Sequence, residues 1–388
     1  MRNFNPLIQL ILVSIVAHVA LAGSRVTTSL YALSLHASEF TVGTLIALFA
    51  LFPMVLAVPM GRLVDRIGIV KPMTCGALLM AVGCLIPSVL EGLPVLYPSV
   101  ILIGTGFMAI HVSSQHAVGA MSVTTTRSSN FSWLALGYSI SSFSGPVIAG
   151  FVIDHARYSA SYAVLGGFTL AALGLMLNGS LSKIKLLPHE DEQKPGSAFD
   201  LLRDPEMRRI YLIGILLGSA WDLFSFIMPI HGSHLGFSAS TIGLILGCFA
   251  GATFTVRLAM HWISRHYSEW QVLTTALSLA VICYALFPFM KSPWSIMVVT
   301  AMLGLALGSS QPNVLALLHH VSPPGRAGEA VGVRITIGNA CQVALPLAFG
   351  AAGATLGMFS VFWGMGAMIG SGVPFAWRKA NIQVTNHE

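Results

Sequence analysis

The chain has 388 residues, of which 55% are hydrophobic and 9% are charged, and its formal net charge is +6. This composition excludes a soluble globular domain, in which about 25% of the residues are charged. A membrane crossing takes roughly 20 apolar residues of helix, so a chain of this length and composition has room for about twelve crossings. We therefore predict an all-α integral membrane protein.

Twelve apolar runs follow one another along the chain. The first run is not followed by a small-residue cleavage site, so we expect it to remain as a helix. Each run is long enough to cross the hydrocarbon core of a bilayer. The predicted spans are residues 7-31, 40-60, 73-90, 94-115, 131-153, 160-181, 210-230, 239-263, 271-290, 294-316, 329-350 and 355-377.

Basic residues alternate between the loops. Most of the 20 lysines and arginines lie at the termini and in the even-numbered loops, whereas the odd-numbered loops hold only Arg157 and Lys291. The positive-inside rule then predicts a multi-pass protein of the plasma membrane, the bacterial inner membrane, with both termini in the cytoplasm. Topology and contact with anionic membrane lipids account for the positive charge, and we predict no nucleic-acid partner.

One long polar stretch divides the chain. It predicts a cytoplasmic linker at residues 182-209, between an N-terminal six-helix bundle at residues 1-181 and a C-terminal six-helix bundle at residues 210-388. A parallel duplication of this kind is typical of secondary transporters that bind their substrate near the midplane between the repeats. At a shift of 200 residues the halves match, with Thr41–Ala50 over Thr241–Ala250, and Pro146 and Gly150 over Pro346 and Gly350.

A charged stretch, Gly61-Arg62-Leu63-Val64-Asp65-Arg66-Ile67-Gly68, separates the second and third spans and predicts a glycine-bounded turn. In this position, its pattern resembles the signature loop of the major facilitator superfamily. The resemblance implies twelve transmembrane helices in two pseudo-symmetric six-helix bundles. We expect the chain to function as a monomer. The resemblance also implies a gating motif of Gly61, Asp65, Arg66 and Gly68. In that motif Asp65 would hold the cytoplasmic side shut near Arg326 to Glu329, and the alternative is an ordinary positively charged loop.

The fifth span carries a second resemblance. Gly145, Pro146 and Gly150, together with Gly137, are similar to the glycine-rich helix of the superfamily's antiporters, although Ser141 and Ala149 replace two expected glycines. Small residues let helices approach closely, and a Gly-Pro pair lets a helix bend. This resemblance implies the proton-coupled efflux type, and the alternative is a kink in an ordinary packed helix. The arginine that such antiporters carry in the fourth helix is replaced by Val100.

Ionisable side chains inside spans are candidates for function, because each costs at least about 2.5 kcal/mol near the helix centre. A rise of about 1.5 Å per residue places His18 and Asp222 near the middle of the first and seventh spans. A buried carboxylate can bind and release protons, so Asp222 is the first candidate for proton coupling and His18 the second. The alternatives are a structural ion pair of Asp222 with Arg25 or His18, and a histidine that is only hydrogen-bonded.

Further polar residues in the spans predict a cavity wall. Arg257 and Arg334 have two interpretations. Their side chains extend to the membrane surface or pair at a gate, or they face the cavity and favour an anionic substrate. The neutral amides orient a substrate or tie helices together. The substrate-cavity candidates are Arg25, Arg334, Asn339, Gln342, Gln311 and Gln115.

The favoured function is secondary active transport by alternating access, with proton-coupled export of a small organic compound, and the alternative is uptake of an anionic metabolite by proton symport. An enzyme is not predicted, because His189-Glu190 is followed by Gln193 where a zinc protease needs histidine, and no Gly-x-Ser-x-Gly sequence occurs. The five cysteines show no paired spacing, so no metal and no cofactor is predicted. A transport-inactive sensor or a lipid-handling protein is the third possibility.

Overall fold

A computed structural model describes residues 5–121, 124–177, 181, 198–323 and 326–385. Within these residues the secondary structure is helical. The α-helices are α1 (Pro6–Ser34), α2 (Glu39–Ile67), α3 (Val70–Val89), α4 (Leu93–Met121), α5 (Thr124–His155), α6 (Tyr158–Leu177), α7 (Ala198–Arg203), α8 (Pro205–His234), α9 (Ala239–His266), α10 (Glu269–Leu286), α11 (Pro293–Val321), α12 (Ala327–Leu356), α13 (Met358–Gly370) and α14 (Val373–Thr385).

Twelve segments of the described chain are long and apolar enough to cross a membrane, which confirms the predicted all-α membrane fold. They comprise α1 to α6 and α8 to α12, with α13 and most of α14 together forming the twelfth. The short α7 lies within the predicted linker. Most of that linker, residues 182–197, lies outside the described residues, and the predicted domain boundaries stay predictions.

The gating motif is more helical than the sequence prediction. Helix α2 continues through Ile67, and only the final residue of the motif, Gly68, has a positive φ of 78°. The Gly68 N–H donates to the Val64 carbonyl at 2.9 Å and so closes the last turn of α2. The predicted eight-residue turn was therefore wrong in extent. Asp65 and Arg66 lie on the last turn of a helix.

The sequence repeat extends to the helix caps. Helices α2 and α9 both begin after a serine whose hydroxyl accepts the backbone N–H three residues later, at 3.2 Å in each case. These pairs are Ser38 with Thr41 and Ser238 with Thr241. A serine in this position satisfies one of the N–H groups that a helix start leaves without a partner. The duplication therefore sets the helix starts as well as the spans.

The same duplication appears in close backbone packing. A Cβ atom at Gly104 would lie 2.3 Å from the Phe49 carbonyl oxygen, and one at Gly304 would lie 2.5 Å from the Phe249 carbonyl oxygen. Both distances are too short for a side chain. Glycine therefore lets α4 approach α2, and α11 approach α9, at equivalent positions of the two repeats.

Contacts divide the chain into two units. The first comprises Met1–His189 and Pro229–Gly247, so the end of α8 and the beginning of α9 pack with the N-terminal helices. The second comprises Glu190–Met228 and Cys248–Glu388. The second unit has an aromatic core in which Phe287 contacts Phe224, Tyr284 and Phe362, with ring centroids 5.5 to 6.1 Å apart.

Candidate functional site

A polar network links α1, α4 and α5 inside the first unit. His18 on α1 places Nδ1 2.7 Å from the hydroxyl of Ser141 on α5. That hydroxyl donates its single hydrogen to the Gly137 or the Tyr138 carbonyl, both at 3.1 Å. When the serine hydrogen is used in this way, the serine oxygen accepts from His18, and this arrangement suits the His18 tautomer that is protonated on Nδ1. Ser141 is completely buried, and it occupies a position where the antiporter resemblance led us to expect glycine.

A second histidine, His111 on α4, joins the same network. Its Nδ1 atom lies 2.9 Å from the Tyr138 hydroxyl, and its Nε2 atom lies 2.6 Å from the side-chain nitrogen of Gln115. The imidazole rings of His18 and His111 both contact the rings of Phe107 and Tyr138, at centroid distances of 5.0 to 5.6 Å. Two titratable rings therefore share one aromatic pocket within the membrane-spanning helices.

Buried hydroxyl groups continue the network. The Tyr138 hydroxyl lies in hydrogen-bonding range of Ser14 on α1. The Ser14 hydroxyl lies within donating distance of Ser114 on α4, at 2.8 Å, and of the Leu10 carbonyl, at 2.9 Å. Ser14 and Ser114 are 0% exposed. Buried polar groups are stabilised when each has a hydrogen-bond partner, so this chain fixes the position of Tyr138 between the two histidines.

Two of the predicted site residues, His18 and Gln115, therefore belong to one network. Arg25 is half-buried on α1 and lies within electrostatic range of His18. His111 and Tyr138 were missed by the sequence analysis. The spacing of four between His111 and Gln115 places both on one face of a helix, and this spacing was the available signal.

Asp222 lies in the second unit. It is half-buried on α8, within electrostatic range of Tyr284 and Cys341. The Tyr284 hydroxyl donates to the Ala220 carbonyl at 2.6 Å and is completely buried. The predicted role of Asp222 in proton coupling stays a prediction.

The other polar candidates of the second unit lie on α11 and α12. Arg257 on α9 donates to the Gln311 side chain at 3.2 Å, and its guanidinium carbon lies 5.8 Å from the centre of the Trp221 ring. Arg334 is half-buried on α12, and its Nε atom has no hydrogen-bond partner among the described residues. Asn339 and Gln342 are half-buried on the same helix. Their predicted contact with substrate stays a prediction.

Helix α5 packs tightly through its small residues, as the antiporter resemblance implies. A Cβ atom at Gly145 would lie 2.8 Å from the Val19 carbonyl oxygen of α1, and one at Gly150 would lie 2.2 Å from the Ala239 carbonyl oxygen at the start of α9. On the opposite helix, a Cβ atom at Gly243 would lie 2.5 Å from the Pro146 carbonyl oxygen. The backbones of α5 and α9 are therefore in direct contact within the first unit.

A carboxylate completes this contact. Asp154, near the end of α5, accepts the Ala239 N–H at 2.9 Å with one oxygen and the Ser240 N–H at 2.8 Å with the other. Ser238 accepts the Thr241 N–H, so side chains satisfy three successive N–H groups at the start of α9. At the same end, Glu39 of α2 lies 3.6 Å from His234 of α8. Asp154 was not among the predicted site residues, because it lies just beyond the predicted span at residues 131-153.

Asp65 of the gating motif has a partner on α4. Its carboxylate lies 3.3 Å from His116 Nδ1, and both side chains are partly exposed. The predicted docking of Asp65 near the beginning of α12 stays a prediction, and the Glu329 side chain lies outside the described residues.

Comparison with known proteins adds independent evidence on the family. A family model for the Major Facilitator Superfamily matches residues 10–346. "Multidrug resistance protein 1" of Bacillus subtilis (strain 168) is 24% identical over 314 residues, which cover 79% of each chain. An uncharacterized MFS-type transporter of the same organism, YfkF, is 23% identical over 236 residues, which cover 58% of this chain and 57% of that protein.

Solved structures share the fold. A POT family transporter in complex with a thioalcohol-conjugated peptide superposes with a TM-score of 0.79 at 14% identity, over 98% of this chain and 96% of that one. The nucleoside transporter NupG superposes with a TM-score of 0.77 at 12% identity, over 96% and 98%. These matches confirm the predicted fold and the resemblance noted at Gly61–Gly68. The chain belongs to the Major Facilitator Superfamily and is a membrane transporter rather than an enzyme.

Proposed function

We propose that this transporter exports a small organic compound in exchange for protons. The observation that carries proton coupling is the network of His18, His111 and Tyr138. Histidine is the side chain that ordinarily changes charge between about pH 5 and pH 8, and ionisable groups placed inside membrane helices are functional candidates. Asp222, half-buried on α8, is the corresponding proton-binding candidate of the second unit.

Export is supported by the relative named a multidrug resistance protein and by the close packing of α5. On the basis of the loop charges, we place the protein in the bacterial inner membrane with cytoplasmic termini. We propose that it functions as a monomer. The moving parts are the bundles at residues 1-181 and 210-388, joined by the linker at residues 182-209, and they work by alternating access. The partners are then the exported compound, protons and membrane lipids.

In this orientation, the Asp154 contact is a latch on the external side. Its bonds to the Ala239 and Ser240 N–H groups join α5 of the first repeat to α9 of the second. Release of an exported compound requires these helices to separate, so the bonds break and reform in each cycle. At the shift of 200 residues, the position of Asp154 is occupied by Ala354, so the sequence offers this latch in one repeat only.

Uptake of an anionic metabolite by proton symport is the second candidate. It is favoured by Arg334, because its Nε donor is buried without a hydrogen-bond partner among the described residues. A buried donor of this kind is stabilised by an anion that binds to it. Arg257, on the Trp221 ring, adds positive charge to the same unit.

Transport into inside-out membrane vesicles separates the two candidates. With the lumen acidic, an exported compound added outside accumulates in the vesicles and makes the lumen more alkaline. We expect His18→Gln to abolish accumulation driven by the pH gradient. His266→Gln is the matched control, because His266 is exposed at the end of α9 and contacts the Trp262 carbonyl. Accumulation of organic acids in right-side-out vesicles, with none of any compound in inside-out vesicles, would contradict export and favour symport.

A further inference from the structure

The pair formed by His111 and Gln115 has a hydrogen-bond pattern that depends on protonation. The Nε2 atom of His111 lies 2.6 Å from the side-chain nitrogen of Gln115, while the Nδ1 atom lies 2.9 Å from the Tyr138 hydroxyl. The amide nitrogen of glutamine only donates, so Nε2 must accept and its ring carries a single proton, on Nδ1. This orientation of the Gln115 amide is therefore the one that a neutral His111 satisfies.

A second proton on His111 cannot be added to this arrangement. Both ring nitrogens of an imidazolium donate, so the Gln115 NH2 group would face another donor at 2.6 Å. Rotation of the amide by half a turn removes the conflict, because it places the Gln115 carbonyl oxygen against Nε2. Tyr138 needs no change, since its oxygen accepts from Nδ1 in both states of the ring.

This rotation changes what Gln115 presents to its surroundings. Gln115 is an exposed residue, whereas His111 is half-buried. With a neutral His111 the outward group of the amide is the carbonyl oxygen, an acceptor. With a charged His111 the outward group is NH2, a donor, and a positive charge lies behind it.

We propose that His111 and Gln115 form a proton-reading pair, in which protonation of His111 turns Gln115 from an acceptor into a donor for the transported compound. This inference rests on the proposed function and specifies the substrate class. A compound that binds the Gln115 carbonyl carries an N–H or O–H donor, as an amine or organic cation does. Protonation then expels it, which is the sign that exchange for protons requires.

Other charged groups near the pair do not replace it. His18 and Arg25 of α1 form part of the surroundings of the network, and His116 on the same helix as the pair is engaged by Asp65 of α2. Lys71 of α3 lines a groove with Thr105 and Ala109 of α4, which lie six and two residues before His111. Among the described side chains, Tyr138 and Gln115 hydrogen-bond the two ring nitrogens of His111. The tautomer of His111 therefore depends on these two residues.

Nitrogen-15 NMR of the full-length protein in nanodiscs tests the pair without a transported compound. We expect the Nε2 atom of His111 to gain a proton as the pH is lowered, and the Gln115 side-chain amide signals to shift with the same midpoint. His111→Gln removes the His111 ring signals, and Gln115→Leu removes the Gln115 amide signals. Each variant identifies the signals of one member of the pair, so the test can proceed if only one variant folds. Gln115→Glu offers only acceptors and is expected to keep both His111 nitrogens protonated at pH 8.

Two results would overturn the inference. One is a His111 signal that stays unchanged down to the lowest pH at which the protein remains folded, and the other is a titrating His111 whose Gln115 amide signals do not move. The transport assay in inside-out vesicles is independent of both. Failure of export with a titrating pair would refute the proposed function and leave the pair intact, whereas export of a compound that lacks any N–H or O–H donor would refute the substrate class.

Discussion

The bonds between Asp154 and the start of α9 support a quantitative prediction. Asp154→Ala removes both acceptors of the Ala239 and Ser240 N–H groups, and loss of a side-chain cap costs about 2 kcal/mol at the upper end of measured values. Because Asp154 is exposed, water replaces part of each bond and the larger values for buried charges do not apply. Asp154→Asn keeps one acceptor oxygen, so we expect a loss of about 1 kcal/mol.

Hydrogen exchange measures this loss directly. The amide hydrogens of Ala239 and Ser240 are the two that Asp154 accepts, and they exchange when the contact opens. We expect their exchange to quicken about 30-fold in Asp154→Ala and about fivefold in Asp154→Asn, since about 1.4 kcal/mol corresponds to tenfold. Mass spectrometry of a peptide that contains both amides gives this readout.

Asp204 provides the matched control for this experiment. Its carboxylate accepts the Met207 N–H at 2.9 Å at the start of α8, so Asp204→Ala removes a cap of the same chemistry elsewhere in the chain. It should quicken exchange at Met207 and leave Ala239 and Ser240 unchanged. Unchanged exchange of Ala239 and Ser240 in Asp154→Ala would refute the latch.

Three further predictions concern packing and the gating motif. Gly150→Ala should quicken hydrogen exchange at Ala239, because the new Cβ atom would lie 2.2 Å from the Ala239 carbonyl oxygen. Gly119→Ala is the control, since no atom lies within 4 Å of its Cβ position. Equal exchange at Ala239 in the two variants would contradict this packing. Tyr284→Phe removes a buried hydrogen bond to the Ala220 carbonyl and should lower the free energy of unfolding by about 1 kcal/mol. Thermal unfolding measures this loss, and Tyr267→Phe is the control because Tyr267 is exposed. His116→Leu should change that free energy by less than about 1 kcal/mol, since the pair with Asp65 is partly exposed, and a larger loss would show that the pair is a structural element.

Sequence patterns predicted the spans well because hydrophobic length is dictated by the bilayer. The shift of 200 residues also located structural equivalence, as the caps at Ser38 and Ser238 show. The extent of the turn at Gly61–Gly68 was predicted wrongly. Charged residues suggested a loop there, but the backbone needs a positive φ only at Gly68, so the helix continues to Ile67.

The candidate site was predictable only in part. His18 and Gln115 were identified as polar residues inside spans, but their connection depends on which faces of α1, α4 and α5 meet. His111 and Tyr138 provide that connection, and no periodicity within one helix reveals it. Asp154 is a similar case, because its partners are backbone N–H groups of α9, and backbone groups leave no signal in the sequence.

Proton movement in proteoliposomes tests proton-coupled export most directly. The purified protein is reconstituted, and a gradient of a compound identified in the vesicle assay is imposed with equal pH on both sides. We expect protons to move opposite to the compound in the wild type. His18→Gln and Asp222→Asn are tested separately, and the variant that removes the coupling residue should move the compound without protons. Protons that move in the same direction as the compound, or compound flux without protons in the wild type, would contradict proton-coupled export.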